Sequence, residues 1–186
     1  MIEISLENYQ KLRLSFNPKK VEKALKSALR KTSTKARTRV SQEIRKIYNI
    51  KARDISKTSR ILNRGDFIEL SWTGRTVGLD KFSPTKRIVK TARGRRQAVA
   101  VKVQKRNKRK LVKGGFQVAS KNNLIFQRTG KKMASNPQKD AIARMFGISV
   151  PQMVNTKVSN RAIDFIGEEA NVQFQKAFNY FLNVKK

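Results

Sequence analysis

Between Asp80 and Asp140 the chain carries nineteen Lys or Arg residues and not one Asp or Glu. Such a stretch cannot neutralise its own charge, so its side chains must meet solvent or a foreign anion. The rest of the sequence does not cancel the excess: 44 Lys and Arg stand against 12 Asp and Glu, a formal charge of +32. Soluble domains usually carry about 2 to 8 in magnitude. Self-repulsion on this scale opposes compaction unless counter-ions or a partner relieve it, and a polyanion, DNA above all, is the simplest partner. The competing explanation is a solvated basic surface with no specific role.

A core is nevertheless available, because 38% of the residues are hydrophobic, ten of them Phe, and the length suits a single domain over residues 1–186. Ile2, Ile4 and Leu6 alternate as in a short strand, and Leu12, Leu14 and Phe16 repeat the pattern. Asn17 is a good N-cap and Pro18 a good first helical residue. Apolar residues then keep helical spacing from Val21 to Ile47, which predicts a long helix over 17–48, roughly 45 Å in length, with a cationic outer surface. Lys51 to Ser59 reads as a short second helix.

Residues 61–128 form a β-rich basic middle. Phe67, Ile68, Leu70 and Trp72 predict strands, and Ala98 to Val103 with Leu111 to Ala119 predict a hairpin whose tip is the basic stretch Gln104 to Lys110. Thr85 to Arg96 has few apolar residues beyond Ile88 and Val89 and is expected to be a mobile arm until it meets its partner. Asn123 to Gln127 is one more strand, followed by a loop from Gly130 to Gln138. Residues 149–184 return to helix, capped by Ser149 near Pro151, with an apolar stripe from Met153 to Phe181 that reads as core or subunit interface. The expected fold is α+β: a long N-terminal helix and a C-terminal helix packed on a small, mainly antiparallel sheet with basic hairpin and loop extensions.

Chemistry is scarce. The chain has no Cys and no His, which removes disulfides, thiolate chemistry, the common zinc ligand sets and the usual neutral-pH base. Asp164 and Glu168 share a helix face at i, i+4, from which two-metal nuclease chemistry could start, but pairing with Arg161 or a neighbouring subunit is the stronger expectation. Thr129-Gly130-Lys131-Lys132 lacks the upstream glycine and the final hydroxyl of a phosphate loop. The expectation is therefore a non-enzyme with no catalytic residue, no metal and no cofactor. The N-terminus has no apolar signal core, and no stretch approaches the roughly 20 apolar residues that span a bilayer, so no membrane role is expected. The residues expected to face DNA are Arg93, Arg95, Arg96, Lys105, Arg106, Lys108, Arg109 and Lys110, contacting phosphates rather than base edges or else acidic protein surfaces.

Two segments carry a resemblance. Arg37 to Ile55, RTRVSQEIRKIYNIKARDI, and Met145 to Val154, MFGISVPQMV, resemble the signature regions of the bacteriophage minor tail protein Z family, the tail completion proteins of lambda-like long-tailed phages. Gly115 to Ala119 and Ile125 to Lys131 fit the same pattern in the same order, while Lys81 to Arg96 is more basic than the pattern suggests. The resemblance implies a virion protein, made in the host cytoplasm, that completes the head-proximal end of the tail and joins it to the head. Its implied partners are copies of itself in a hexameric ring, the tail terminator or tube, the head connector, and DNA passing through the channel. It also implies that Tyr48, Asn49, Ile50, Arg53, Asp54, Phe146, Pro151 and Gln152 shape the fold or the ring interface. A free nucleic-acid-binding protein without sequence preference is the alternative that the same charge supports.

Overall fold

The computed structural model describes residues 2–4, 16–64, 67–92 and 94–183. In chain order its elements are β1 (Ile2–Ile4), α1 (Pro18–Ile47), α2 (Ala52–Ser56), β2 (Ser59–Asn63), β3 (Ile68–Trp72), β4 (Thr76–Gly78), β5 (Thr85–Thr91), β6 (Gly94–Val101), β7 (Lys110–Val112), β8 (Gly115–Val118), β9 (Leu124–Met133), β10 (Asn136–Arg144), β11 (Phe146–Ser149), α3 (Val150–Met153) and α4 (Thr156–Asn183). The fold is α+β, as the periodicities predict. The chain, read from its sequence as one domain, packs as two compact units, each drawn from separate segments.

The first unit comprises residues 1–44, 55–73 and 154–186. The Asn17 side chain accepts from the Lys19 N–H at 3.1 Å and starts α1 where Pro18 has no N–H to satisfy. One face of the helix buries Val21, Ala24, Leu25, Ala28, Leu29, Ala36, Val40 and Ile44. Helix α4 runs antiparallel to it. Lys20 Nζ reaches the Leu182 carbonyl at 3.4 Å, Lys35 pairs with Glu169 at 2.5 Å, the Arg39 guanidinium lies 4.9 Å from the Phe165 ring centre, and Arg161 stands 3.8 Å from Glu43. Each step up one helix is a step down the other. The apolar stripe of α4, Val158, Ala162, Ile166, Ala170, Phe174 and Ala177, is buried as core. The sheet of this unit has the order β1-β3-β2, antiparallel throughout, and its middle strand buries Ile68, Leu70 and Trp72 in alternation. Leu12 and Leu14 lie outside the described residues.

The second unit comprises residues 45–54 and 74–153. It contains three small antiparallel sheets, β4 with β11, β5-β6-β7, and β8-β9-β10. Phe82, Ile125, Val150 and Met153 are fully buried in it, beside Val99 and Val101.

Five local expectations change. The segment Thr85 to Arg96 is no free arm: β5 pairs with β6 from Thr85↔Ala100 to Thr91↔Gly94, so the connection is only two residues long. Gly94 takes φ +109° there, a value that L side chains rarely adopt. A strand needs a paired neighbour more than it needs apolar residues, and the valine and alanine run of β6 supplies one. The expected loop Gly130 to Gln138 is likewise the far end of a β9–β10 hairpin, with register shifts around Asp140. The hairpin expected over Ala98 to Ala119 holds only between β6 and β7, since the chain turns at Gly114 and β8 pairs with β9 instead. A Cβ on Gly115 would stand 2.6 Å from Val112 Cγ1, so this turn requires glycine. The helix expected over Lys51 to Ser59 stops at Ser56, where the Thr58 and Ser59 hydroxyls donate to the Ile55 and Ser56 carbonyls at 2.8 Å each and occupy the groups that a further turn would need. The C-terminal helix is also interrupted. Asn155 Oδ1 accepts from the Val158 N–H at 3.1 Å and begins α4 afresh after the single turn of α3. Among the described residues no helix is long and apolar enough to cross a membrane.

Candidate nucleic-acid interface

The two carboxylates that bracket the basic segment are consumed locally. Asp80 accepts from Arg144 Nη2 at 2.9 Å and lies 3.3 Å from Lys81 Nζ. Gly78 makes room for that pair, because a Cβ there would come within 2.3 Å of Asp80 Oδ1 and 2.5 Å of Arg144 Nη2. Asp140 accepts from Lys132 and from Arg128 at 3.1 Å each, and these hydrogen bonds, Lys132 first, hold its carboxyl below the usual aspartate range.

What remains is uncancelled charge on the β5–β6 hairpin and on the connection from β6 to β7. Arg95 and Arg96 project from β6, opposite Lys90 and Val89. Arg93 lies outside the described residues. Lys105 and Arg106 occupy the turn after β6, Lys108 and Arg109 follow, and Lys110 begins β7 opposite Val101. All seven described residues are exposed, and Arg109 also donates to the Ser83 carbonyl. Among the described residues none of the seven pairs with a carboxylate. Lys90 and Arg95 are like charges directly opposite one another, an arrangement that weakens a hairpin in water and that a bound anion relieves. Sequence reasoning passed over Lys86, Arg87 and Lys90 as part of a structureless arm. Ile88 and Val89 are adjacent, so they fall on opposite faces of β5 and leave no apolar alternation to signal a strand.

Of the stretches that carry the family resemblance, residues 45–54 and 145–153 fall in this second unit, and residues 37–44 in the first. Tyr48 is buried and forms an antiparallel bridge with Gln104. The Asn49 N–H donates to the Val103 carbonyl at 2.8 Å, and the Lys105 N–H donates to the Ile47 carbonyl at 2.8 Å. The end of α1 thus anchors the base of the cationic turn. Ile50 is buried, Arg53 is exposed on α2, and Asp54 donates its N–H to the Lys51 carbonyl at 3.1 Å. Phe146 pairs with Gly78 across β11 and β4 and is 49% exposed, with the Arg144 guanidinium 5.1 Å from its ring centre. Pro151 lies in α3. Gln152 Oε1 accepts from the Ser149 N–H at 2.9 Å while Ser149 Oγ accepts from the Gln152 N–H at 3.4 Å, a reciprocal cap.

Asp164 and Glu168 are exposed on α4, and Arg161 turns to Glu43 rather than to either of them. Among the described residues no three His, Cys, Asp or Glu side chains converge. No family model, curated protein or solved structure matches this chain.

Proposed function

We propose that this chain is a non-enzymatic structural protein that holds DNA within an assembly, and that the assembly is a phage neck. In this reading copies of the chain form a ring at the head-proximal end of a tail, between the tail terminator or tube and the head connector. Its basic hairpins face the DNA that passes through.

The observation that carries the DNA contact is the exposed, uncancelled charge of the β5–β6 hairpin and the Lys105 to Lys110 connection, with Lys90 and Arg95 forced side by side. Strands place these charges along paired backbones of fixed spacing. That suits a regular row of phosphates, and it costs the protein hairpin stability when no anion is present. The place in a virion rests on the resemblance of Arg37 to Ile55 and Met145 to Val154 to the tail completion family. The anchoring of the cationic turn on Ile47 to Asn49 supports a link between that signature and the contact surface.

The test is to determine the protein's mass in solution and to image purified particles. A defined oligomer together with density at the neck supports the proposal. A chain that stays monomeric at high concentration and is missing from mature particles refutes it. A monomer whose duplex affinity falls roughly 10³- to 10⁵-fold between 50 and 200 mM salt, the loss expected for about 6 to 10 phosphate contacts, would instead favour a free nucleic-acid binder.

A further inference from the structure

A groove of about 530 Å³ opens between the β5-β6-β7 and β8-β9-β10 sheets, within the second unit. Strand register fixes one wall. Val89 stands opposite Arg96, Leu111 stands opposite Ala100, and alternation along β6 puts Ala98 on the same face as these residues. Leu111 is 50% exposed and offers apolar surface to the groove. On the other side the Gln127 carboxamide lies beside Gly114, its Nε2 3.5 Å from where a Cβ on that glycine would stand. Among the described residues no hydrogen bond occupies this carboxamide, and no carboxylate meets Arg96 or Lys113 at the rim.

We infer that this groove takes an unpaired base of single-stranded DNA, with the flanking phosphates on Arg96 and Lys113. The inference rests on the DNA-contacting role proposed above and extends it from backbone to base. Three features favour a base over a bare polyanion. The wall of Val89, Ala98 and Leu111 is apolar, which suits the face of a heterocycle. The Arg96 guanidinium is planar and can stack as well as bind phosphate. The Gln127 carboxamide both donates and accepts, as a base edge does, whereas phosphate and carboxylate oxygens only accept. The volume lies in the range of small-ligand pockets and suits one nucleotide.

The test measures binding of the full chain to three strands at one fixed salt concentration: a single-stranded oligonucleotide, an abasic strand of equal length, and a duplex. The base-bearing single strand should bind roughly tenfold tighter than the abasic one. Leu111→Glu, at a half-exposed position that tolerates substitution, and Gln127→Ala should each remove that difference while leaving abasic binding within about twofold for Gln127→Ala. Lys105→Gln should weaken all three strands alike. Equal affinity for base-bearing and abasic strands overturns the groove and leaves the DNA-contacting role standing. Failure of all three strands to bind at moderate salt overturns both. Displacement of the single strand by a leucine-containing acidic peptide at lower concentration than by a mononucleotide also overturns the inference and assigns the groove to a protein segment.

Discussion

Glu43 is only 1% exposed, on a helix face shared with Val40 and Ile44. A carboxylate is tolerated there because Arg39, one turn earlier, comes within 3.4 Å and Arg161 of α4 within 3.8 Å, both able to reach solvent with the rest of their side chains. Arg39 is held in turn by the Phe165 ring. Glu43→Gln keeps the volume and deletes the charge, so it should cost about 2 kcal/mol and lower the thermal midpoint by roughly 4 to 8 °C. An unchanged midpoint in a melting curve would remove the pair from the account of α1 against α4. Asp140 offers a pH test. Its folded value is depressed by Lys132 and then Arg128, so its contribution is present above the ordinary aspartate value of 3.8 and is lost as pH falls through the folded one. An NMR titration should place the Asp140 midpoint below 3.8, and Lys132→Ala should move it upward.

At the scale of elements, α1 could be read from residues alone, because Asn17, Pro18 and apolar residues recurring at helical spacing agree on its start and course. The β5–β6 hairpin could not, because Thr85 to Arg96 contains little to bury and the apolar part of the partner strand, Ala98 to Val101, lies beyond the segment. This hairpin is the element whose stability a polyanion should change most. Amide exchange at Arg87, Val89 and Arg96 should slow by about tenfold or more when saturating DNA is added, while amides in the middle of α1 change little. Equal slowing everywhere would mean general stabilisation rather than contact at the hairpin. The α4 start gives a second test. Asn155→Ala removes the cap on the Val158 N–H and should cost about 1 kcal/mol, measured by denaturant unfolding.

For the molecule as a whole, the charge that dominates the sequence is also the term most open to the medium. A net +32 is destabilising by self-repulsion, and added salt screens it over a Debye length of about 8 to 10 Å. The thermal midpoint should therefore rise as salt increases from about 10 to 300 mM, against the fall expected if salt bridges such as Lys35–Glu169 governed stability. A scan of melting temperature against ionic strength decides the sign.

The sequence by itself determined the α+β class, both long helices, the strand at Ile68 to Trp72 and the presence of a basic middle, since each rests on local periodicity, capping chemistry or charge count. It also placed Lys105 to Lys110 at a hairpin tip, because a polar run between two apolar ones has few other readings. Only the tertiary structure decided that Thr85 to Thr91 pairs as a strand with the run from Gly94, that Gly130 to Met133 pairs in the same way with the run from Asn136, that Gly115 to Val118 leaves β7 for β9, and that Asp80 and Asp140 fold back onto their own cations. These are matters of which distant segment supplies a partner. Pairing energy belongs to two strands at once, and neither strand's residues record it alone.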